Sequence, residues 1–224
     1  MSSNRPGLLP RLHFITDTHC QDRFTHQELT QAFLQGGGTL IQYRDKYEES
    51  TRQRLQLARE LQALCLEHRA SLIINDRADI AACTQASGLH LGPTDLSITD
   101  ARTIVGPTPF IGATINEPDH ARALVANPPD YVGIGPFRAT SNKEAATYSL
   151  GLQGMKDLLD ETQAILGRAV PAIAIGGIGL EDVAPLIKLG FHGVAVIGAI
   201  AKASSPERAT QAFISAIESA VRER

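Results

Sequence analysis

The sequence predicts an α/β fold, a single (β/α)₈ TIM barrel, on the strength of three observations. Eight short apolar runs recur along the chain, and most are followed by a polar stretch with helical periodicity. Near-continuous apolar strands of this kind are typical of a parallel sheet covered on both faces. Eight strand–helix units within 224 residues also match the size of a closed barrel. A doubly wound open sheet, the alternative, usually ends at about five or six strands.

The predicted strands are spread along the chain, at residues 12–16, 39–44, 71–75, 88–91, 110–114, 131–135, 172–176 and 193–198. The clearest helix is predicted from Ser50, a plausible N-cap, to His68, because its apolar residues fall on one face and charged residues on the other. No linker or composition break divides the chain. We therefore expect residues 1–224 to form one barrel domain, with a short polar N-terminal segment at about residues 1–10.

The composition is that of an ordinary globular protein, with 43% apolar and 20% charged residues and a formal net charge of −3. This charge gives no reason to expect nucleic acid or an anionic membrane as partner, so we expect small-molecule partners and leave a homo-oligomer open. The N-terminus lacks a signal-peptide core, and no apolar run approaches the ~18 residues that span a bilayer. Three widely spaced cysteines predict reduced thiols and a cytoplasmic location.

Function in such barrels lies at the C-terminal ends of the strands. The second strand ends in QYRDK, where Gln42, Arg44 and Lys46 occupy alternate positions and so point to the same side. Unpaired buried charge is costly, so these groups are predicted to face an anion at the barrel mouth. The alternative, equally weighted on this segment alone, pairs Arg44 and Lys46 with Asp45, Glu48 or Glu49 on the surface.

Carboxylates follow the third and fourth strands. The third strand ends in Asn75 and Asp76, and the fourth leads to Asp95. Two carboxylates from adjacent loops could share Mg²⁺, which typically takes one or two protein carboxylates together with substrate phosphates and water. The alternative reads both aspartates as helix N-caps, which in isolation would be favoured.

The loop after the sixth strand, residues 136–154, is long enough to predict a functional role. It contains four consecutive side chains that can form hydrogen bonds, Thr140, Ser141, Asn142 and Lys143. A merely mobile loop could have the same composition.

Glycines follow the last two strands, at Gly176-Gly177 and at Gly198 after Ile197. Glycines just before helices match the recurrent phosphate site of these barrels, although simple turn chemistry also explains a double glycine. Together, the strand ends offer cations, two carboxylates and a glycine cradle. They predict two phosphate-bearing groups, one chelated with metal and one held by backbone.

The motifs resemble the thiamine-phosphate synthase family, in a superfamily that also includes a thiazole tautomerase. The similar segments run in order from FITD (14–17) to the last helix, and they include GGGTLIQYRDK (36–46), LIINDRADIA (72–81), GLHLGPTDL (88–96), GPFRATSNK (135–143), AIGGI (174–178) and GVAVIGAI (193–200).

The resemblance implies a transferase of thiamine biosynthesis. It would couple 4-amino-2-methyl-5-hydroxymethylpyrimidine diphosphate with hydroxyethylthiazole phosphate, plain or carboxylated, giving thiamine phosphate and pyrophosphate. In the dissociative step ascribed to the family, pyrophosphate departs first and leaves a pyrimidinylmethyl cation. Such a site needs no strong nucleophile, only groups that neutralise the leaving group, and Arg44, Lys46 and Lys143 would act there.

The resemblance also implies the ligands of each site residue. Mg²⁺ would be held by Asp76 and Asp95. The pyrimidine diphosphate would be contacted by Gln42, Arg44, Lys46, Asn75, Thr114 and Lys143. The thiazole phosphate would be contacted by Thr140 and Asn142, with Ser141 between them, and by Gly177, Ile197 and Gly198.

The chain departs from the family pattern at three places. Family members often have threonine at the position of Asn142, serine at that of Gly198, and Ser-x-His where this chain has Thr114-Ile115-Asn116. Asn142 and Thr114 can still donate hydrogen bonds, whereas Gly198 leaves only backbone.

Three alternative functions stay open. A thiazole tautomerase would use a histidine where Asn116 stands, a non-catalytic paralogue would bind thiamine phosphate, and a sugar-phosphate isomerase would use only the glycine cradle. His13 and His90, both on strands, are expected to be packed residues without a catalytic role.

Overall fold

The structure, a computed structural model, describes residues 9–47, 50–139 and 148–224. Across these ranges, eight parallel strands form a closed barrel in chain order, and the eighth pairs with the first. The strands are β1 (Leu12–Thr16), β2 (Leu40–Tyr43), β3 (Ser71–Asn75), β4 (Gly88–Leu91), β5 (Phe110–Ile115), β6 (Tyr131–Ile134), β7 (Ala172–Ala174) and β8 (Gly193–Val196). The predicted fold class is confirmed. Most of the predicted N-terminal segment, residues 1–8, lies outside the described ranges.

Helices follow the strands and cover the barrel. They are α1 (His26–Gln35), α2 (Thr51–Glu67), α3 (Ala78–Thr84), α4 (Ile98–Val105), α5 (Pro118–Arg122), α6 (Gly151–Leu166), α7 (Val183–Leu189), α8 (Gly198–Ala201) and α9 (Pro206–Arg222), with 3₁₀ turns at Thr18–Cys20 and Leu180–Asp182. The helix predicted from Ser50 to His68 is α2, and the Ser50 hydroxyl accepts from the Gln53 N–H at 3.3 Å as its N-cap. Among the described helices, none combines the length and the apolar character needed to cross a membrane.

Four predicted strands extend too far at their C-terminal ends. The observed strands end one or two residues earlier than predicted for the ranges 39–44, 131–135, 172–176 and 193–198. The backbone explains two of them, because Gly176 has a φ of 91° and Ile197 already serves as the N-cap residue of α8. The residues that follow the strands therefore form the loops of the barrel mouth.

Side chains alternate between two apolar layers. Along β2, Leu40 belongs to the layer inside the barrel, while Ile41 and Tyr43 belong to the layer between the sheet and the helices. Continuing this alternation places Gln42 and Arg44 on the inner side. The inner layer is formed by Leu9, Leu40, Ile73, Tyr131, Ile173 and Ala195.

Candidate active site

A buried ion pair links the ends of β1 and β2. The Arg44 guanidinium donates to the Asp17 carboxylate, and the two residues are only 8% and 3% exposed. This burial excludes the surface position that the alternative reading gave to Arg44. Ile15 pairs with Gln42 in the β1–β2 register, so two residues further on, Asp17 and Arg44 are opposite each other. Sequence reasoning missed Asp17, although alternation along the first strand would have placed it at the mouth.

Lys46, Asp76 and Asp95 form a cluster that spans three loops, which we call the carboxylate cluster. The Lys46 Nζ lies 3.3 Å from Asp76 Oδ2. The carboxyl groups of Asp76 and Asp95 are within hydrogen-bonding reach of each other. Burial, followed by the neighbouring Asp95, raises the pKa of Asp76 to about 6, against the opposing effect of Lys46. The structure therefore brings together both carboxylates predicted for the metal and one predicted cation.

Neither aspartate acts as a helix cap, so the capping interpretation is wrong. The N-cap residue of α3 is Arg77, which makes no side-chain capping bond, and that of α4 is Ser97, whose hydroxyl accepts from the Asp100 N–H at 3.1 Å. Asp95 instead accepts from the Gly92 N–H at 2.6 Å within its own loop. Asp76 has a φ of 61°, and such left-handed conformations of non-glycine residues cluster at functional sites.

The charges of this cluster fit a divalent cation. Lys46 supplies one positive charge against two carboxylates, and the nearby Arg77 is bound through Nε to Asp79 at 2.9 Å. Among the residues that the structure describes, two carboxylates therefore face one ammonium group, and this excess of negative charge favours a cation. Within the described ranges, no three His, Cys, Asp or Glu residues lie together as a metal site. Two carboxylates suit Mg²⁺, which completes its shell with water and substrate oxygens.

A chain of buried polar groups crosses the barrel interior below the mouth. The His90 ring lies between the Tyr131 hydroxyl, 3.0 Å from Nδ1, and the Thr114 hydroxyl, 2.9 Å from Nε2. His13 packs edge-on against Tyr131 with ring centroids 5.3 Å apart. His13 and His90 are both buried, as predicted for packed residues. Thr114 and Asp95 also border a cavity of about 260 Å³ that extends towards α5.

The glycines after β7 form a tight turn. Gly176 and Gly177 have φ values of 91° and 66°, which side chains rarely adopt. A Cβ at Gly177 would lie 2.8 Å from the Arg138 Cβ, so the two loops touch at this point. At Gly198, the first residue of α8, a Cβ would come no closer than 3.6 Å to the flexible Lys202 side chain. Space for a serine therefore exists where the family often has one.

The remaining predicted site residues divide into two groups. Gln42 is buried on β2, and Asn75 ends β3 beside the backbone of Asp76. Four predicted residues lie outside the described ranges, and these are Thr140, Ser141, Asn142 and Lys143.

The family model described as thiamine monophosphate synthase matches residues 12–200. The chain belongs to this family. It is 37% identical over 213 residues to a thiamine-phosphate synthase of Salinibacter ruber, covering 95% of this chain and 91% of the relative. A thiamine-phosphate synthase of Chlorobium luteolum is 40% identical over 181 residues, covering 81% of this chain and 82% of the relative.

A solved structure agrees with this family assignment. It is a thiamine phosphate pyrophosphorylase from Pyrococcus furiosus, with a TM-score of 0.81 and 29% identity over 94% of this chain and 96% of that one. The resemblance found in the sequence motifs is thereby confirmed. The match to the family model, 12–200, includes every predicted site residue, from Gln42 to Gly198.

Proposed function

We propose that this chain is a transferase that couples the pyrimidine diphosphate with hydroxyethylthiazole phosphate, releasing pyrophosphate and forming thiamine phosphate. Membership of the family supports the reaction. The observation that carries the proposal is the carboxylate cluster, in which Lys46, Asp76 and Asp95 meet at the mouth of the barrel. A diphosphate and a divalent cation are the partners that such a combination of charges suits.

The residues after β2 and β3 handle the pyrimidine diphosphate in this proposal. Arg44 is held by Asp17, so its guanidinium need not be reoriented as negative charge accumulates on the departing pyrophosphate. Lys46 supplies a second positive charge, and Lys143 a third. Gln42, Asn75 and Thr114 would orient the substrate, with the Thr114 hydroxyl itself held by His90.

Asp76 and Asp95 are the residues that would hold Mg²⁺. When bound, the ion would neutralise charge on the diphosphate oxygens. The excess of negative charge among the described members of the carboxylate cluster supports this assignment, as does the absence of a capping role for either aspartate.

The second substrate would bind at the opposite side of the mouth. Backbone N–H groups at Gly177 and at Ile197-Gly198 suit a phosphate, with Thr140, Ser141 and Asn142 as further contacts. The tight turn after β7 supports this placement.

A thiazole tautomerase is disfavoured by the residue after β5. Asn116 stands where that activity would use histidine, and its side-chain amide is bound to the Gly135 carbonyl. A carboxamide is neither an effective general acid nor an effective general base near neutral pH. The carboxylate cluster would also have no role in a tautomerase or in a sugar-phosphate isomerase.

Release of pyrophosphate tests the proposal directly. Purified chain with both substrates and Mg²⁺ should release pyrophosphate and form thiamine phosphate, and omission of either substrate should stop the release. Binding of thiamine phosphate without turnover would instead favour the non-catalytic paralogue. The cytoplasmic location, the homo-oligomer and the choice between plain and carboxylated thiazole stay predictions.

A further inference from the structure

Arg138 joins the loops after β6 and β7. Its guanidinium forms an ion pair with Asp182, in which Nη2 donates to Oδ1 at 2.7 Å and Nη1 donates to Oδ2. Nη1 also donates to the Gly177 carbonyl at 3.0 Å. One side chain from the sixth loop therefore holds two points of the seventh loop, and one of these is a glycine of the predicted phosphate cradle.

Backbone hydrogen bonds fix the same two loops along their edges. The Phe137 N–H donates to the Ile175 carbonyl at 2.9 Å, and the Arg138 N–H donates to the Gly176 carbonyl at 3.0 Å. These bonds continue the β6–β7 ladder beyond the ends of both strands. Because Gly176 and Gly177 both have positive φ, their N–H groups point in directions that depend on this turn being held.

Asp182 holds the turn from its other side. The residue is 5% exposed, and its Oδ2 accepts from the Gly179 N–H at 2.7 Å. Burial acts to raise the pKa of Asp182, but the hydrogen bonds from Arg138 and Gly179 outweigh it and hold the pKa below its usual value. The Arg138 side chain is itself half-exposed, but the buried Asp182 carboxylate accepts from donors on both sides, so its position is more restricted than in an ion pair with two exposed partners.

The ends of the sixth loop close beside this anchor. The Leu150 N–H donates to the Pro136 carbonyl at 3.0 Å, and the Gly151 N–H donates to the Phe137 carbonyl at 3.1 Å. Arg138 therefore lies where the loop bearing Thr140 and Asn142 leaves the barrel. It touches one of the groups that the proposed function assigns to the thiazole phosphate, the Gly176–Gly177 turn.

We propose that Arg138 is a positioning residue for the thiazole phosphate. Its ion pair with Asp182 fixes the Gly176–Gly177 turn, so that the backbone N–H groups are aimed at the phosphate before it binds. This inference rests on the proposed function and adds a determinant of affinity for one of the two substrates. If the pair only stabilised the fold, breaking it would lower the melting temperature and would change the KM values of both substrates alike.

The experiment compares variants at the two ends of the barrel. Arg138→Lys and Arg138→Ala weaken or remove the bidentate pair, and Asp182→Asn removes its charge while keeping an acceptor for Gly179. The matched control is Arg102→Lys, because Arg102 likewise pairs with an aspartate, Asp130, and donates to loop carbonyls. Arg102 lies on α4 and Asp130 directly precedes β6, so the control pair is at the opposite end of the barrel.

The measurements are the KM of each substrate, binding of thiazole phosphate alone by calorimetry, and the melting temperature. Arg138→Lys and Asp182→Asn should weaken thiazole-phosphate binding and raise its KM about tenfold, as expected for a displaced binding group, with the KM of the pyrimidine diphosphate unchanged. Combining them should add little, since both break one pair. Arg102→Lys should change neither KM.

Unchanged thiazole-phosphate binding in a folded Arg138 or Asp182 variant would overturn the inference, as would equal changes in both KM values. Calorimetry does not require turnover. Failure of the wild-type chain to release pyrophosphate would therefore contradict the proposed function separately.

Discussion

Charged residues at the barrel mouth form ion pairs with oppositely charged residues of neighbouring loops. Arg44 has a buried carboxylate partner in Asp17, and Lys46 contacts Asp76 in the next loop. A buried ion pair adds little net stability because desolvation offsets its attraction, whereas loss of one partner is costly. Such pairs are therefore better explained by positioning than by stability. Asp17 restricts where the Arg44 guanidinium can point.

Asp76→Asn tests the metal assignment. Asparagine keeps the size of the side chain and tolerates the left-handed backbone of Asp76, but it removes the charge. We expect turnover to fall about 100-fold and its Mg²⁺ dependence to weaken, with the fold intact. The rate as a function of Mg²⁺ concentration measures both. Asp79→Asn, three residues on in α3, removes the carboxylate that pairs with Arg77 and should leave the Mg²⁺ dependence unchanged. Full activity of Asp76→Asn would refute the assignment.

Asp17→Asn tests the positioning of Arg44. The variant removes the ionic partner of the guanidinium while preserving an acceptor oxygen, so Arg44 becomes less restricted. We expect kcat/KM for the pyrimidine diphosphate to fall about tenfold and the KM of the thiazole phosphate to stay the same. Steady-state kinetics with each substrate varied in turn provides the measurement. As a control, Asp119→Asn breaks the exposed Arg122 pair on α5 and should alter neither value. Equal losses for both substrates would argue for a general structural role.

At the scale of the elements, packing between neighbouring strands positions side chains that reach the barrel mouth. Gly112 in β5 allows the Tyr131 ring of β6 to pack against the β5 backbone, because a Cβ at Gly112 would lie 2.1 Å from that ring. Tyr131 in turn reaches His90, which holds the Thr114 hydroxyl. Tyr131, His90 and Thr114 therefore connect Gly112 to the barrel mouth. An added methyl group at Gly112 should displace this row of side chains.

Gly112→Ala tests this contact between neighbouring strands. The added methyl group forces Tyr131 to move, and overpacking of this kind costs about 1–3 kcal/mol of unfolding free energy. We expect a lower midpoint of urea unfolding and reduced activity. Gly133→Ala on β6 is the matched control, since its Cβ would meet neighbours at 3.4 Å or more and should be tolerated. Equal stability of the two variants would show that the barrel interior adapts more readily than its geometry indicates.

Local pattern predicted the elements better than it predicted their ends. Strands were identified because apolar runs bury on both sides, and α2 because one face is apolar along its length. The ends were placed too far along, since a residue such as Ile197 is apolar yet already belongs to a turn. The apolar pattern of a sequence indicates which residues are buried. Residues stay buried beyond the last hydrogen bond between strands, so the pattern predicts strands that are too long.

At the scale of the whole molecule, the sequence sufficed for the fold and for the carboxylate cluster. Asp76 and Asp95 are candidates because each follows a strand, and the family resemblance favours a shared cation over helix capping; the closed barrel brings these strand ends together. Asp17 and the Arg138–Asp182 pair were not found. The members of each pair lie 27 and 44 residues apart in sequence, and they meet only in the folded barrel. Contacts of this kind depend on three-dimensional pairing that no local pattern encodes.

Two buried histidines at the opposite end of the barrel contribute to the response of the fold to acid. His13 is 1% exposed, lies against Tyr131, and its Nε2–H donates to the Pro10 carbonyl at 3.0 Å. Burial is the main cause that lowers the pKa of His13 from 6.5 to about 3, and the nearby His192 lowers it further. Burial also lowers the pKa of His192, whose Nε2–H donates to the Leu9 carbonyl. Both rings are therefore neutral in the folded state near pH 7.

His13→Gln tests the link between this burial and stability. Between pH 6.5 and about 3, the unfolded chain binds a proton at His13 that the folded chain excludes, so stability falls as the pH falls. The loss from His13 alone is about 1.4 kcal/mol per pH unit. Glutamine keeps a donor for Pro10 but does not titrate, so the unfolding free energy of the variant should fall less steeply between pH 6.5 and 5 in urea titrations. His68→Gln, at the exposed end of α2, should retain the wild-type slope. If His13→Gln and wild type lose stability in parallel, the buried ring does not contribute to the acid response.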